Sequence, residues 1–320
     1  MTGEGAAEPA EAVTVEVPAT LSGVRVDRGV AMVTDVSRAV AAELVESGRV
    51  FVDGTPVTSG RMALREGSVL SVRLPERGSA TPAPEPGVRF SVVHADDDVA
   101  VIDKPAGLVV HPGAGHAEGT LVGGLLAVFP DLGDLVTAGV SAPDRPGIVH
   151  RLDKGTSGLL AVARTVDAYR SLVAQLATRS MERRYVALVA GIVTDEQGEI
   201  EAPIGRSVRT PTKMAITPRG KPARTAYRVV ERRGTGPASP ATLLELSLQS
   251  GRTHQVRVHM AAIGHPVIGD ARYGTADKRL GSGRFFLHAA RLAFDHPRTG
   301  ARCEFQAPLP DDLRDYLADL

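Results

Sequence analysis

The sequence predicts an α+β protein in which helices and strands form mixed layers, divided into a small N-terminal body and a larger second body. Three observations support this prediction. The strand-like runs of the second body are not regularly paired with crossover helices, which argues against a doubly wound α/β sheet. A proline-rich segment divides the chain near residue 80. A chain of 320 residues is also long enough to bury a substantial core without metal or disulfide.

The N-terminal part begins with residues 1–12, which are small and acidic and therefore predict a disordered tail. Residues 13–75 form the small body. Its helix is predicted to begin at Ser37 and to end at Gly48, with three apolar residues on one face, Val40, Leu44 and Val45. A hairpin is expected over residues 49–57, around an Asp53-Gly54 turn. The prolines of residues 76–88 indicate a semi-rigid linker.

Residues 89–320 make up the second body. Its strand-like runs cover residues 99–103, 159–163, 185–189 and 243–248. One helix is capped by Thr165 and repeats apolar side chains at helical spacing, namely Tyr169, Leu172, Val173 and Leu176. Another helix follows Thr253 and ends at Gly264, with a buried stripe of Val256, Met260 and Ile263.

The overall charge does not identify a partner, because 37 basic and 37 acidic residues cancel. Residues 203–228 contain seven basic residues and no acidic one, which favours a local surface for a polyanion. Cys303 is the only cysteine, so no disulfide within the chain and no cysteine-based zinc site is expected. Without a signal peptide or a membrane-spanning run, the sequence predicts a cytoplasmic protein without a membrane partner.

The segment HRLDKGTSGL, residues 150–159, holds the most informative carboxylate. Asp153 lies between two cations, Arg151 and Lys154, which favour its ionised form. The small residues that follow allow a tight turn and the close approach of a bulky substrate. An ionised carboxylate in such a place suits a nucleophile, although a salt-bridged loop aspartate gives the same pattern.

Several other chemistries fit the residues less well. His254 and His259 are five residues apart with arginines alongside, whereas helical zinc ligands stand four apart beside a glutamate. Ser157 lacks the turn motif of serine hydrolases, and no second carboxylate accompanies Asp153 as a glycosidase requires. One acid, several arginines and a tyrosine remain. This set suits an attack by Asp153 on a nucleotide whose phosphates are held by arginines and whose flipped base stacks on an aromatic ring.

Three segments together resemble one enzyme family. HRLDKGTSGLL resembles the signature of the pseudouridine synthases, in the RluA/RluD branch that modifies uridines of ribosomal RNA. IDKPAGLVVHP and GRTHQVRVHMAAIGHPVIGD resemble two further blocks of that branch, in the same order and spacing. Residues 13–75 are similar to the S-four RNA-binding domain through Arg25, Asp27, Ser37, Arg38 and the hairpin GRVFVDG. The resemblance implies a central mixed, largely antiparallel sheet in the catalytic body.

The resemblance also implies roles for individual residues. Asp153 would be the nucleophile, and Arg257 is chosen over Arg252 as the arginine that pairs with it. Tyr185 would stack on the uracil and assist removal of the proton from carbon-5, while Arg151 would fill the gap that the flipped base leaves. Substrate binding is expected from the remaining motif residues, Lys104, Lys154, Arg252, His254 and Gln255.

The activity expected from the resemblance is the conversion of uridine to pseudouridine in RNA, most often in large-subunit ribosomal RNA. No cofactor and no metal are expected, and the protein is expected to be a monomer. Two other functions stay open from the residues alone. A ribosome-assembly factor would bind RNA through both bodies without chemistry, and a nucleoside or sugar hydrolase would use Asp153 together with a second acid or base.

Overall fold

The computed structural model describes residues 12–34, 36, 38–73, 81–113, 116–207, 210, 213–234 and 240–320. The chain divides into two compact units: residues 1–80 with 113–117, and residues 81–112 with 118–320. The predicted tail, except Ala12, lies outside the described residues, as do Ser37 and the first five residues of the predicted linker. The boundaries predicted at residues 75 and 88 stay predictions.

The first unit is a four-stranded antiparallel sheet with two helices. Its sheet order is β1-β4-β2-β3. The elements are β1 (Ala12–Glu16), α1 (Val26–Thr34), α2 (Arg38–Glu46), β2 (Val50–Val52), β3 (Thr55–Pro56) and β4 (Val69–Arg73), with a 3₁₀ turn at Ala19–Leu21.

The predicted hairpin of this unit is confirmed. Asp53 and Gly54 both have positive φ, +50° and +77°, which is the conformation that a two-residue hairpin turn requires. The predicted helix corresponds to α2, whereas α1 was not predicted. Leu44 and Val45 of α2 pack with Val26 and Val30 of α1 in one apolar core. Arg25 and Asp27, on which part of the resemblance depends, form an ion pair.

The second unit is built on a nine-stranded mixed sheet, as the α+β prediction requires. Its order is β5-β6-β7-β14-β8-β13-β12-β9, with β15 paired to β14. The strands are β5 (Ser91–Ala95), β6 (Val99–Lys104), β7 (Ser157–Ala163), β8 (Glu182–Ala190), β9 (Gln197–Glu201), β12 (Arg224–Arg233), β13 (Ala241–Leu248), β14 (Leu287–Asp295) and β15 (Arg302–Gln306). A separate hairpin is formed by β10 (Ile204–Arg206) and β11 (Met214–Ile216), and the helices are α3 (Leu121–Val128), α4 (Leu132–Thr137), α5 (Val166–Thr178), α6 (Gln255–Ala262) and α7 (Asp311–Ala318).

The four predicted strands of this unit correspond to β6, β7, β8 and β13, and the two predicted helices correspond to α5 and α6. Thr165 caps α5 as expected, because its hydroxyl accepts a hydrogen bond from the amide of Ala168. One residue of the predicted buried stripe is wrong: Ile263 is 39% exposed, because it follows the last residue of α6 as its C-cap. Val173, in the apolar repeat of α5, is 40% exposed.

Among the described residues, no helix is both long and apolar enough to cross a membrane. Residues 81–88 form neither helix nor strand, yet they bind the second unit. The Glu85 amide donates to the Gly123 carbonyl at 2.7 Å, and its carboxylate accepts from the Gly119 amide at the same distance. This half of the predicted linker therefore follows α3 rather than extending freely.

The Asp153 loop enters the sheet where β7 runs parallel to β14. Their pairing covers only two positions, Ser157 with His288 and Gly158 with Ala289. Gly158 has φ of +110°, and a Cβ atom there would overlap the carbonyl oxygen of Ala289. The two strands approach closely only because this residue has no side chain, and that approach fixes the end of the loop.

We expect Gly158→Ala to lower the free energy of unfolding by about 2 kcal/mol or more, because it adds a backbone clash to an unfavourable φ. Chemical denaturation of the purified protein measures this change. Gly300→Ala is the matched control: Gly300 also has positive φ, +69°, but a Cβ there meets nothing within 4 Å. Equal losses from the two variants would show that the close approach to Ala289 is unimportant.

Candidate active site

A cavity of about 540 Å³ opens in the second unit beside the Asp153 loop, a volume suited to a group of nucleoside size. Its lining contains six arginines and a single carboxylate, that of Asp153. The arginines are Arg145, Arg151, Arg179, Arg183, Arg252 and Arg257. Such an excess of positive charge around one acid favours a negatively charged ligand.

Three charged side chains are hydrogen-bonded in a row that begins inside the protein and ends at the cavity, namely Asp270, Arg257 and Asp153. Arg257 Nη1 donates to Asp153 Oδ2 at 3.0 Å. On its other side, Arg257 Nε and Nη2 donate to the two carboxylate oxygens of Asp270 at 2.7 and 2.9 Å. The Asp270 side chain is 1% exposed and that of Arg257 is 8% exposed, whereas that of Asp153 is 17% exposed. Asp270 therefore anchors the guanidinium through Nε and Nη2, and Nη1 donates to Asp153.

The local environment keeps the buried pair of Asp270 and Arg257 ionised. Burial alone would raise the pKa of Asp270, but the hydrogen bonds and charge of Arg257 outweigh burial and lower that pKa. Burial would likewise lower the pKa of Arg257, and the two carboxylates raise it instead. The guanidinium also lies over the Phe285 ring, 4.3 Å from its centroid. These contacts restrict Arg257 to one orientation.

Tyr185 lies on β8, is 6% exposed and lines the same cavity. Burial raises the pKa of its hydroxyl; Arg183 acts in the opposite direction, and the negative charge of Asp153 adds to the increase. Asp153, Tyr185 and Arg257 all line this one cavity. The roles predicted for these residues stay predictions.

The turn before α6 supplies the opposite wall of the cavity. Gln255 is 3% exposed, and its Oε1 accepts from the Ser250 hydroxyl at 2.8 Å and from the Arg252 amide at 3.0 Å. Its Nε2 donates to the Arg224 carbonyl at 3.0 Å. Gln255 therefore stabilises the turn through its hydrogen bonds. Arg252, in the same turn, is exposed and lines the cavity.

His254 begins α6 with φ of +57°, an unusual conformation for a residue with a side chain. Its Nδ1 is 2.8 Å from the Tyr273 hydroxyl, and burial lowers its pKa to about 4. His254 is therefore a neutral ring at the cavity wall near pH 7. His259 points elsewhere, to Thr225 and to the Ala202 carbonyl, so the two histidines do not form a metal site.

Lys104 and Lys154 do not belong to the cavity lining, although both were predicted to bind substrate. Lys104 is fully buried, and its Nζ donates to the carbonyls of Pro105 and Leu108 at 2.9 Å and to that of Lys154 at 3.5 Å. Arg284 acts in a similar way, because its Nη1 donates to the Gly155 carbonyl at 2.7 Å. Two buried basic side chains therefore hold the backbone of the Asp153 loop by hydrogen bonds to its carbonyl groups.

The acid-free sequence stretch does not form an acid-free surface. Arg224 forms an ion pair with Glu199 on β9, and Arg228 lies 3.6 Å from Glu245 on β13. Of the basic residues that the structure describes in this stretch, none lines the cavity. In the described part of the chain, one group has metal-binding geometry, Asp96 with Asp98 and His296. It lies outside the cavity lining, and Arg298 pairs with Asp98.

Sequence reasoning missed two residues of the site. Asp270 ends the motif that contains Arg257, but a single acid after a glycine gave no reason to pair it with an arginine 13 residues earlier. Arg183 belongs to the charged run before Tyr185. The available signal was its spacing from Tyr185, since residues two apart on a strand face the same side.

The excess of arginines in this cavity favours a polyanionic substrate such as nucleic acid. Comparisons with known proteins identify the family. Residues 98–262 match the family described as RNA pseudouridylate synthase, and residues 24–70 match the S4 domain. The chain belongs to the RNA pseudouridylate synthase family and is an RNA pseudouridine synthase, an isomerase. The predictions of this family, of the enzyme class and of the S-four domain are confirmed.

Relatives support the assignment along the whole chain. An uncharacterized RNA pseudouridine synthase of Chloroflexus aurantiacus is 46% identical over 327 residues, covering 100% of this chain and 98% of that protein. The ribosomal large subunit pseudouridine synthase D of Pseudomonas aeruginosa is 41% identical over 311 residues, covering 93% and 92%. The solved structure of human RNA Pseudouridylate Synthase Domain Containing 1 is similar with a TM-score of 0.54 and 29% identity, covering 71% of this chain and 86% of that one.

Replacing Asp270 by asparagine is expected to lower the free energy of unfolding by about 3 kcal/mol at pH 7, because it breaks a buried ion pair. Since the folded pKa of Asp270 is lowered, its contribution is complete above the unfolded pKa of about 4 and is lost as the pH falls further. Denaturant unfolding of wild type and variant between pH 3 and pH 7 measures both effects.

The matched control is Asp295→Asn, which removes a half-exposed carboxylate that pairs with Arg302. Its effect should stay within about 0.5 kcal/mol. A stability difference between wild type and Asp270→Asn that does not shrink below pH 4 would contradict the assignment of the stabilisation to an ionised Asp270.

Proposed function

We propose that this enzyme isomerises uridines of large-subunit ribosomal RNA and that Asp153 is its nucleophile. The observation that carries the proposal is the position of the Asp153 carboxylate, which faces the arginine-lined cavity while Arg257 fixes it at 3.0 Å. An ionised, oriented carboxylate at the edge of a cavity of nucleoside size suits attack on one nucleoside at a time.

A uridine within RNA reaches such a cavity only after it leaves the base stack. Tyr185 offers an aromatic face inside the cavity for the flipped uracil, and such stacking contributes about 1–3 kcal/mol. Arg151 is exposed and also lines the cavity, so its side chain can occupy the gap left in the RNA. The lowered pKa of His254 favours its neutral form, which contacts the substrate without adding charge.

The reaction rearranges bonds within one nucleoside. Asp153 forms a bond to the nucleoside, the bond between uracil N1 and ribose C1′ breaks, and the freed uracil turns. C5 bonds to C1′, and the bond to Asp153 breaks, which restores the carboxylate. C5 then loses its proton while N1 gains one, so atoms and electrons balance without a redox partner, a nucleotide or a metal. Tyr185 assists the transfer of the C5 proton, and Arg257 keeps Asp153 oriented throughout.

The target class is inferred from the relatives. Several proteins about 40% identical over most of this chain are named ribosomal large subunit pseudouridine synthase D. The S4 domain supplies an additional RNA-binding unit, which suits a large RNA substrate better than a free nucleoside. Backbone contacts from such a unit add affinity, while the catalytic unit selects the base.

Incubation of the protein with unmodified large- and small-subunit ribosomal RNA, followed by mapping of pseudouridine, tests the proposal. Wild type should modify defined positions of the large-subunit RNA. Asp153→Asn should lose activity by roughly 1,000-fold or more and keep its fold, because Arg257 retains Asp270 as partner. Asp167→Asn is the matched control, since its side chain is 95% exposed on α5.

Three outcomes would contradict parts of the proposal. Turnover by Asp153→Asn would remove the nucleophile assignment. Release of free uracil would indicate a hydrolase, and modification confined to small-subunit RNA would remove the proposed target while leaving the chemistry intact.

Tyr185→Phe is expected to reduce kcat by ~100-fold or more because the hydroxyl that assists proton transfer is lost. RNA affinity should change little, since the phenyl ring still stacks. Tyr185→Leu should weaken affinity as well. Single-turnover kinetics on RNA containing 5-deuterated uridine should show a larger isotope effect for the phenylalanine variant than for wild type. Tyr169→Phe on α5, outside the cavity lining, is the control. An unchanged isotope effect would exclude Tyr185 from the proton step.

A further inference from the structure

Arg183 is a buried cation without an acidic partner among the described residues. Its side chain belongs to β8 and the residue is 6% exposed. Nη2 donates to the Leu248 carbonyl at the long distance of 3.4 Å, and Nε has no hydrogen-bond partner. Burial lowers the pKa of this guanidinium, as expected where no carboxylate compensates its charge.

The other two buried guanidinium groups have acidic partners. Arg257 and Arg284 are also 6% exposed, but Asp270 and Asp153 contact Arg257, and Asp312 accepts from Arg284 at 2.6 Å. Burying a charge without a partner is unfavourable. Arg183 therefore differs from both, because no described residue provides an anion for it.

The position of Arg183 indicates where such an anion would come from. Arg183 lines the active-site cavity and shares one face of β8 with Tyr185, two residues further along the strand. A Cβ atom at Gly251 would lie 2.9 Å from Arg183 Nη1, so the guanidinium extends beneath the turn that precedes α6. Its guanidinium is therefore close both to Tyr185, on which the uracil is expected to stack, and to the turn that carries Arg252.

We propose that Arg183 binds a phosphate of the RNA backbone next to the target uridine. This inference rests on the proposed function, because the anion is part of the same substrate. A phosphodiester carries one negative charge and two free oxygens, and the guanidinium of Arg183 keeps N–H donors that Leu248 does not use. Binding of the flipped nucleotide then supplies the counter-charge that the free enzyme lacks.

The substitution Arg183→Gln tests the inference through two measurements that move in opposite directions. The thermal midpoint of the free enzyme should stay equal or rise, because an uncompensated buried charge is removed. Affinity for a ribosomal RNA fragment should fall at least ~10-fold, and the slope of log affinity against log salt should become less steep by about 0.7, the contribution of one phosphate. Arg183→Lys should keep the slope while binding more weakly.

Arg184→Gln is the matched control on the opposite face of the strand. Arg184 lies outside the cavity lining and pairs with Glu182 and Glu245 at 3.4 Å, with its side chain 38% exposed. Because exposed ion pairs contribute little, this variant should resemble wild type in stability, affinity and salt slope.

The proposal is overturned if Arg183→Gln lowers the thermal midpoint and leaves RNA affinity intact, since the residue would then be structural. Weaker binding with an unchanged salt slope would also overturn it, because the contact would be to a neutral group such as uracil. RNA binding is measured independently of turnover. A wild type that binds RNA with the expected slope but forms no pseudouridine would therefore contradict the proposed function alone.

If Arg183→Gln does not fold, Gly251→Ala replaces it. The added methyl group displaces Nη1 without removing charge, so RNA affinity should fall at least ~3-fold, a modest change because the end of the arginine side chain can adjust. Gly133→Ala on α4, where a Cβ meets nothing within 4 Å, should leave binding unchanged. Equal affinity of both alanine variants and wild type would then overturn the proposal.

Discussion

The pairing of one guanidinium with two carboxylates is the interaction on which the site depends. Asp270 accepts from Nε and Nη2 of Arg257 in a buried fork, and Asp153 accepts from Nη1. Asp270 is buried, whereas Asp153 lines the cavity. The Arg257 guanidinium is therefore held on its buried side by Asp270 and directed toward the cavity. Asp153 can therefore lose or change its contacts during a reaction without leaving Arg257 unpaired.

A second constraint acts on the backbone around Asp153. Lys104 and Arg284 bind the carbonyls of Lys154 and Gly155, and the absence of side chains at Gly155 and Gly158 lets the loop approach residues 283–289 closely. Burial lowers the pKa of Lys104 to about 7 against the opposing effect of Asp153. The lysine that the motif suggested as a substrate contact is thus placed to position the loop, and the loop in turn positions the carboxylate.

The sequence predicted those parts of the molecule that local signals specify. The hairpin at Asp53-Gly54 and the helix capped by Thr165 follow from residues adjacent in the chain. Helix α1 was missed because Gly29 lowers its helical propensity. That glycine lies against Leu64, so tertiary packing stabilises the helix in spite of the low propensity. Asp153, Tyr185 and Arg257 were selected through motifs. The ion pair between Asp270 and Arg257 was not predicted, because it depends on the tertiary structure and not on a local sequence pattern. Arg183 was missed because consecutive charged residues usually lie at the surface, whereas this one is buried.

The bond between Arg284 and the Gly155 carbonyl joins residues 129 positions apart, and Arg284 is itself paired with Asp312 on the last helix. During synthesis Asp153 therefore leaves the ribosome long before Arg284 and Asp312, which support its loop. A nascent chain cannot hold this loop in place until the segment around these two residues has been made. Folding of the loop must therefore wait for residues distant in the chain, whereas the hairpin at Asp53-Gly54 can form from neighbouring residues alone.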